Sequence, residues 1–201
     1  MRRLRILSLL VLVGVLAACG GGVSTDELQG VALAEPTPKP DFTLTDTDGN
    51  PFHFAEETEG KLTLLYFGYT HCPDVCPVHL AQIAETFDQL SQVAESSVVV
   101  FVTVDPERDT PEVLREWLDR FDPRFVGLTG TPEELEAAQK AAGVPVAFKV
   151  GEGDDYTVQH AGQVLAYAPD GLLYAQYPFG TRQSTWLNDL QILAQIHPEE
   201  A

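Results

Sequence analysis

The chain has 201 residues, 44% hydrophobic and 21% charged, enough for one domain with a sizeable core plus a tail. Asp and Glu number 30 against 12 Lys and Arg, a formal charge of −18 spread along the chain. So acidic a surface repels phosphate backbones and excludes non-specific nucleic-acid binding. A single apolar run approaches spanning length, at the N-terminus, which excludes a polytopic membrane protein.

That run follows a basic start, Arg2, Arg3 and Arg5, and leads into Leu16-Ala17-Ala18-Cys19. Its apolar core, residues 6–15, is too short for a spanning helix of about 20 residues. It reads as a signal peptide over residues 1–18. A cysteine directly after small residues resembles the lipobox of bacterial lipoproteins, which implies lipidation of Cys19. Residues 19–38, from Gly20-Gly21-Gly22 to Pro36-Thr37-Pro38, then read as a flexible tether. The domain at 39–197 is expected to sit at the extracytoplasmic face of a bacterial membrane, held by its lipid anchor. With Cys19 acylated, no odd thiol is left: only Cys72 and Cys76 remain.

From residue 41 onward strand and helix signals alternate. Residues 42–45 and 51–54 flank Asp48-Gly49-Asn50 and predict a hairpin. Asp46 and Asp48 faintly suggest a calcium loop, but the closing Glu is missing and a turn is the better reading. Residues 62–67 and 98–104 are continuous apolar runs, as strands buried on both faces require. Between them a helix is predicted over 77–93, with Pro77 in its first turn and Leu80, Ile83, Ala84, Phe87 and Leu90 as its stripe. Thr110-Pro111-Glu112 opens a second helix, and Thr131-Pro132-Glu133-Glu134 a third with the spacing of a capping box. Residues 164–167 and 172–177 bracket Pro169-Asp170-Gly171 as another hairpin, and a last helix is predicted over 185–196. Two buried strands joined by a helix imply a parallel crossover, hence an α/β fold with a central sheet flanked by helices. The loop after the 62–67 strand then lies at the sheet's carboxyl edge, where sites gather.

That loop reads Phe67-Gly68-Tyr69-Thr70-His71-Cys72-Pro73-Asp74-Val75-Cys76-Pro77. Two cysteines four apart at the mouth of a helix put both sulfurs on one side of a turn. The first-turn N–H groups and the helix dipole there favour thiolate, the form that ligates metals and attacks disulfides. Soft sulfur pairs select Cu(I), Zn(II) or iron–sulfur centres, yet two sulfurs saturate none of the latter, since structural zinc and clusters want four ligands. A histidine is therefore the natural complement. His71 adjoins Cys72 and reads more as a tuner of its thiolate than as a ligand. His79 reads as solvated, and His53 and His197 as incidental. His160, 84 residues beyond Cys76, is either a ligand or a structural residue; spacing alone does not decide.

The Cys72 loop, followed by Val104-Asp105-Pro106-Glu107-Arg108-Asp109-Thr110-Pro111 and by His160 ahead of the Pro169-Asp170-Gly171 hairpin, resembles the Sco/SenC family of copper chaperones. The resemblance spans residues 39–197. It implies a thioredoxin-like fold with a central mixed sheet, an N-terminal β-hairpin extension, and a histidine loop facing the cysteine loop. It makes His160 the third ligand of a copper ion, Cu(I) or Cu(II), beside Cys72 and Cys76. It also marks Asp105 as an acidic residue near the metal loop, although capping of the turn at Pro106 explains Asp105 equally well. Gln159 and Ala161 depart from the Asp and Ser that commonly flank this histidine in the family.

The resulting expectation is a metallochaperone rather than an enzyme, serving the copper-accepting (CuA) subunit of cytochrome c oxidase and exchanging metal with another periplasmic copper carrier. The alternative is a thiol–disulfide oxidoreductase in which Cys72 and Cys76 form a redox disulfide and reduce an acceptor's cysteines. Their three-residue separation, against the usual two, favours metal. A thiol peroxidase is a third option, but no basic residue adjoins Cys72.

Overall fold

The computed structural model describes residues 25–153 and 155–198; the signal expected over 1–18 and the lipidated Cys19 lie outside the described residues. The strands are β1 (Val31–Pro38), β2 (Thr43–Asp46), β3 (Pro51–His53), β4 (Leu62–Gly68), β5 (Ser97–Thr103), β6 (Val126–Thr129), β7 (Phe148–Val150), β8 (Thr157–Gln159), β9 (Val164–Tyr167) and β10 (Leu172–Tyr177). The helices are α1 (Phe54–Glu57), α2 (Val75–Gln89), α3 (Ser91–Glu95), α4 (Pro111–Leu118), α5 (Pro132–Ala141) and α6 (Gln183–Leu193). None of them is long and apolar enough to cross a membrane.

Among the described residues, one eight-stranded sheet runs β1-β10-β9-β4-β5-β6-β2-β3, and β7 and β8 form a separate two-stranded ribbon. β4 and β5 pair in parallel from Leu62↔Ser97 to Gly68↔Thr103, the crossover that the two apolar runs demanded. β6 continues the parallel set, while β9, β10, β1 and the β2–β3 hairpin are antiparallel. The sheet is therefore mixed, with the expected hairpin extension at one edge.

Every residue of β4 is buried because both faces are covered. Period-two alternation sends Leu62, Leu64 and Tyr66 into the core under α2, α4 and α6, with Leu80, Ile83, Leu114, Leu118 and Trp186. Leu65 and Phe67 enter the opposite core with Phe54, Leu135 and Ala138. Fully burying side chains of this size stabilises by about 1.5–3 kcal/mol each.

Caps follow the chemistry read from the sequence. Thr131 and Glu134 form the reciprocal capping box, and the Thr110 hydroxyl accepts from Val113 N–H at 3.3 Å. The Asp46 carboxylate accepts from the N–H groups of Asp48 and Asn50, closing an Asx turn around Gly49, whose φ is +86°.

Two expectations differ. Residues 31–38, read as tether, form β1 along β10, and the N–H groups of Gln29 and Gly30 bond the buried Asp189 carboxylate of α6 at 2.8–3.1 Å. Composition suggested a linker, but pairing to an open sheet edge overrides weak local propensity. The helix expected over 77–93 starts two residues earlier, because Asp74 caps it by accepting from Val75 N–H at 2.7 Å. It then breaks at Leu90 into the short α3.

Candidate metal centre

β4 ends at Gly68, and Tyr69 to Asp74 turn the chain into α2 at the carboxyl edge of the sheet. Gly68 is required by a close approach: a Cβ there would stand 2.8 Å from Cys76 Sγ and from the Phe101 ring. The turn is anchored by Asp109, fully buried just before α4, whose carboxylate accepts from Thr70 N–H (3.0 Å), Thr70 hydroxyl (2.6 Å) and Thr103 hydroxyl (2.6 Å).

Cys72 closes the turn by donating its N–H to Tyr69 O at 3.2 Å. Cys76 occupies the second position of α2, and its N–H points at Cys72 Sγ from 3.5 Å. An orphan first-turn N–H is thus spent on a sulfur, as the position of the motif at a helix mouth implied. The two cysteines are free thiols, Cys76 wholly buried and Cys72 nearly so.

The hydrogen bond from Cys76, against the opposing effect of burial and with help from His160, lowers the Cys72 thiol to about 4. Burial, then the adjacent Cys72 sulfur, pushes the Cys76 thiol well above its ordinary value. The pair therefore shares one proton, with the thiolate on Cys72. At pH 6 a soluble alkylating reagent is expected to label Cys72 before Cys76, as read by peptide mass mapping. Equal labelling would contradict this asymmetry.

His160 leaves the end of β8 and brings Nε2 to 3.8 Å from Cys76 Sγ. The ligand atoms of Cys72, Cys76 and His160 all lie within 4.8 Å of one another. An ion held trigonally about 2.0–2.3 Å from each donor sets the donors about 3.5–4.0 Å apart. Closing the triangle takes side-chain shifts of about an ångström or less. His160 Nδ1 lies 2.9 Å from its neighbour's carbonyl, Ala161 O. A carbonyl only accepts, so Nδ1 carries a proton there, and Nε2 is the ring nitrogen turned to the sulfurs. Orientation of the ring thus comes from a backbone carbonyl, which Ala161 supplies as well as Ser would.

Aromatic groups wall the site. Tyr66 donates its hydroxyl to Cys76 Sγ at 3.3 Å, and its ring and that of Tyr69 stand 6.2 and 5.7 Å from the His160 ring. Burial pushes the Tyr66 hydroxyl upward, so it stays a donor.

The other sequence candidates lie outside this triangle. Asp105 is fully buried; it accepts from Arg108 Nε at 2.5 Å and Tyr156 hydroxyl at 2.6 Å. Arg108 in turn donates to Tyr156 O and stacks 3.6 Å over its ring, so Asp105 braces the β7–β8 ribbon that leads to His160. His71 is half exposed, with Nδ1 3.0 Å from Thr70 Oγ1 and 3.7 Å from Asp109. The reading of His79 is corrected: it is fully buried, with Nε2 3.2 Å from Gly162 O. The helix stripe hid this, because α6 covers a second face of α2 with Trp186. Tyr66 and Asp109 were missed as well. Period-two counting along β4 would have found Tyr66, since it shares the α2 face with Gly68.

Residues 32–195 match the family model described as SCO1/SenC. The chain belongs to the SCO1/SenC family. A putative copper-binding protein of Stutzerimonas stutzeri is 38% identical over 135 residues, 67% of this chain and 66% of that protein. The chain thus spans a little under two thirds of that relative's length. Among solved structures, Bradyrhizobium japonicum ScoI with copper bound superposes with a TM-score of 0.69 at 34% identity, covering 78% of this chain and 99% of that one. Yeast Sco1 with copper bound gives 0.72 at 31% identity, covering 82% and 92%. The fold is the thioredoxin-like arrangement of this family.

Proposed function

We propose that this Sco protein is a copper chaperone that binds Cu(I) or Cu(II) through Cys72, Cys76 and His160, works outside the cytoplasm on a lipid anchor at Cys19, and helps to load the CuA centre of cytochrome c oxidase. The observation that carries the reading is the convergence of two sulfurs and a ring nitrogen of His160, 84 residues beyond Cys76, within 4.8 Å. Two thiolates and one imidazole suit the soft Cu(I) ion, and Cu(II) completes a tetragonal set with water or an oxygen ligand. Zinc in a closed structural site would want a fourth protein ligand, and no fourth Cys, His, Asp or Glu joins the cluster among the described residues. Three ligands at a sheet edge leave an approach for an incoming acceptor, which delivery requires. The copper-accepting subunit of the oxidase and a second periplasmic copper carrier are the partners this role implies.

The low thiol value of Cys72 favours a second reading, in which the pair exchanges disulfides with an acceptor's cysteines. The two uses are compatible in turn, because an oxidised pair cannot ligate copper. Titration of the purified, reduced protein with copper tests the first reading. One tightly held ion per chain, with a sulfur-to-Cu(II) charge-transfer band, is expected; absence of tight binding would refute it.

A further inference from the structure

His79 has no place among the three ligands, yet it is tied to them on two sides. It sits on α2 three residues after Cys76, fully buried, and bonds Gly162 O two residues after His160. Because a carbonyl only accepts, His79 must carry its proton on Nε2. Its Nδ1 is then a buried acceptor with no hydrogen-bond partner among the described residues. An apolar ring would fill this space without that desolvation penalty. The ring is also packed edge-on against Tyr66 at 5.4 Å and Trp186 at 6.0 Å, and Tyr66 donates to Cys76 Sγ. Burial lowers the His79 pKa, which favours the neutral ring.

We infer that His79 is a positioning residue: its Nε2–H pins the Gly162 carbonyl to α2, so that the helix carrying Cys76 also sets how far His160 Nε2 stands from the sulfurs. The path is short and closed. His79 holds Gly162, the Ala161 carbonyl holds His160 Nδ1–H, and His160 faces Cys76, which lies one turn before His79 on the same helix. This assignment deepens the copper reading and rests on it for its consequence, but not for its geometry.

The test uses the full chain with its thiols reduced. In the metal-free wild type, long-range nitrogen–proton correlation spectra are expected to show His79 protonated at Nε2; protonation at Nδ1 would overturn the assignment. His79→Phe keeps a packed ring and removes the donor, whereas His79→Gln keeps an N–H. His79→Phe is expected to lower backbone order parameters at residues 161 and 162 from about 0.85 toward 0.6. It is expected to weaken Cu(I) binding about 10-fold, the lower end of what orienting partners of ligands contribute. His79→Gln should recover most of both. Wild-type order and affinity in His79→Phe, or no recovery in His79→Gln, would overturn the inference. Wild-type protein that binds no copper would instead sink the copper reading and leave the tautomer and order tests standing.

Discussion

Replacing His160 by alanine is expected to weaken copper binding by about 100-fold or more, because loss of a ligand exceeds the 10- to 100-fold cost of losing a ligand's orienting partner. Cu(II) should suffer more than Cu(I), since two sulfurs alone satisfy the softer ion better. The fold should persist. His160 is a partly exposed loop residue, and the ring contacts it gives up with Tyr66 and Tyr69 are worth about 0.5–1.5 kcal/mol each. Thiol chemistry should persist too, because the leading cause of the low Cys72 value is Cys76, with His160 a lesser contributor. Competition against a chromophoric Cu(I) chelator reads the first effect, and exchange with a small model disulfide reads the second. Copper held as tightly as before would remove His160 from the ligand set. Loss of both properties would mean that the residue serves the fold instead.

Local chemistry made much of this centre legible. The helix mouth, the paired sulfurs and the thiolate follow from the Cys72-Pro73-Asp74-Val75-Cys76 spacing, since orphan N–H groups must point somewhere and the nearest acceptor is Cys72 Sγ. The parallel crossover follows from two apolar runs too short for helices. His160 was different, because 84 residues of chain separate it from Cys76 and only the family resemblance singled it out. What stayed hidden is whatever depends on a third element covering a side chain. Residues 31–38 looked like linker until β10 offered an edge. His79 looked solvated on a helical wheel, yet Trp186 of α6 and the Gly162 loop close over it. Asp109 was not singled out in the sequence, because its role as anchor of the cysteine loop exists only once β5 brings Thr103 beside Thr70.

Asp109→Asn is expected to be the most disruptive single-atom change near the site. The buried carboxylate accepts three hydrogen bonds, and an amide in its place offers one oxygen and turns an NH₂ group toward donors. Hydrogen bonds to charged groups contribute about 1.5–3 kcal/mol each and are not additive, so a loss of about 3 kcal/mol overall is expected. In a chain of this length that lowers Tm by about 6–12 °C. The damage should also be directional. Thr70 lies two residues before Cys72, and its N–H and hydroxyl bond different oxygens of Asp109, so one of the two loses its acceptor and the cysteine loop is loosened from the end of β5. Thr103→Val is the comparison: it removes one of the three bonds, together with the one that Asp105 N–H donates to the Thr103 hydroxyl, and leaves both Thr70 bonds in place. Thermal melts and amide hydrogen exchange at residues 70–72 distinguish the two. Asp109→Asn should speed exchange there and weaken copper binding, while Thr103→Val should lower Tm by less and leave the loop protected. Equal protection of the loop in both variants would make Asp109 a stabilising residue with no hold on the position of Cys72.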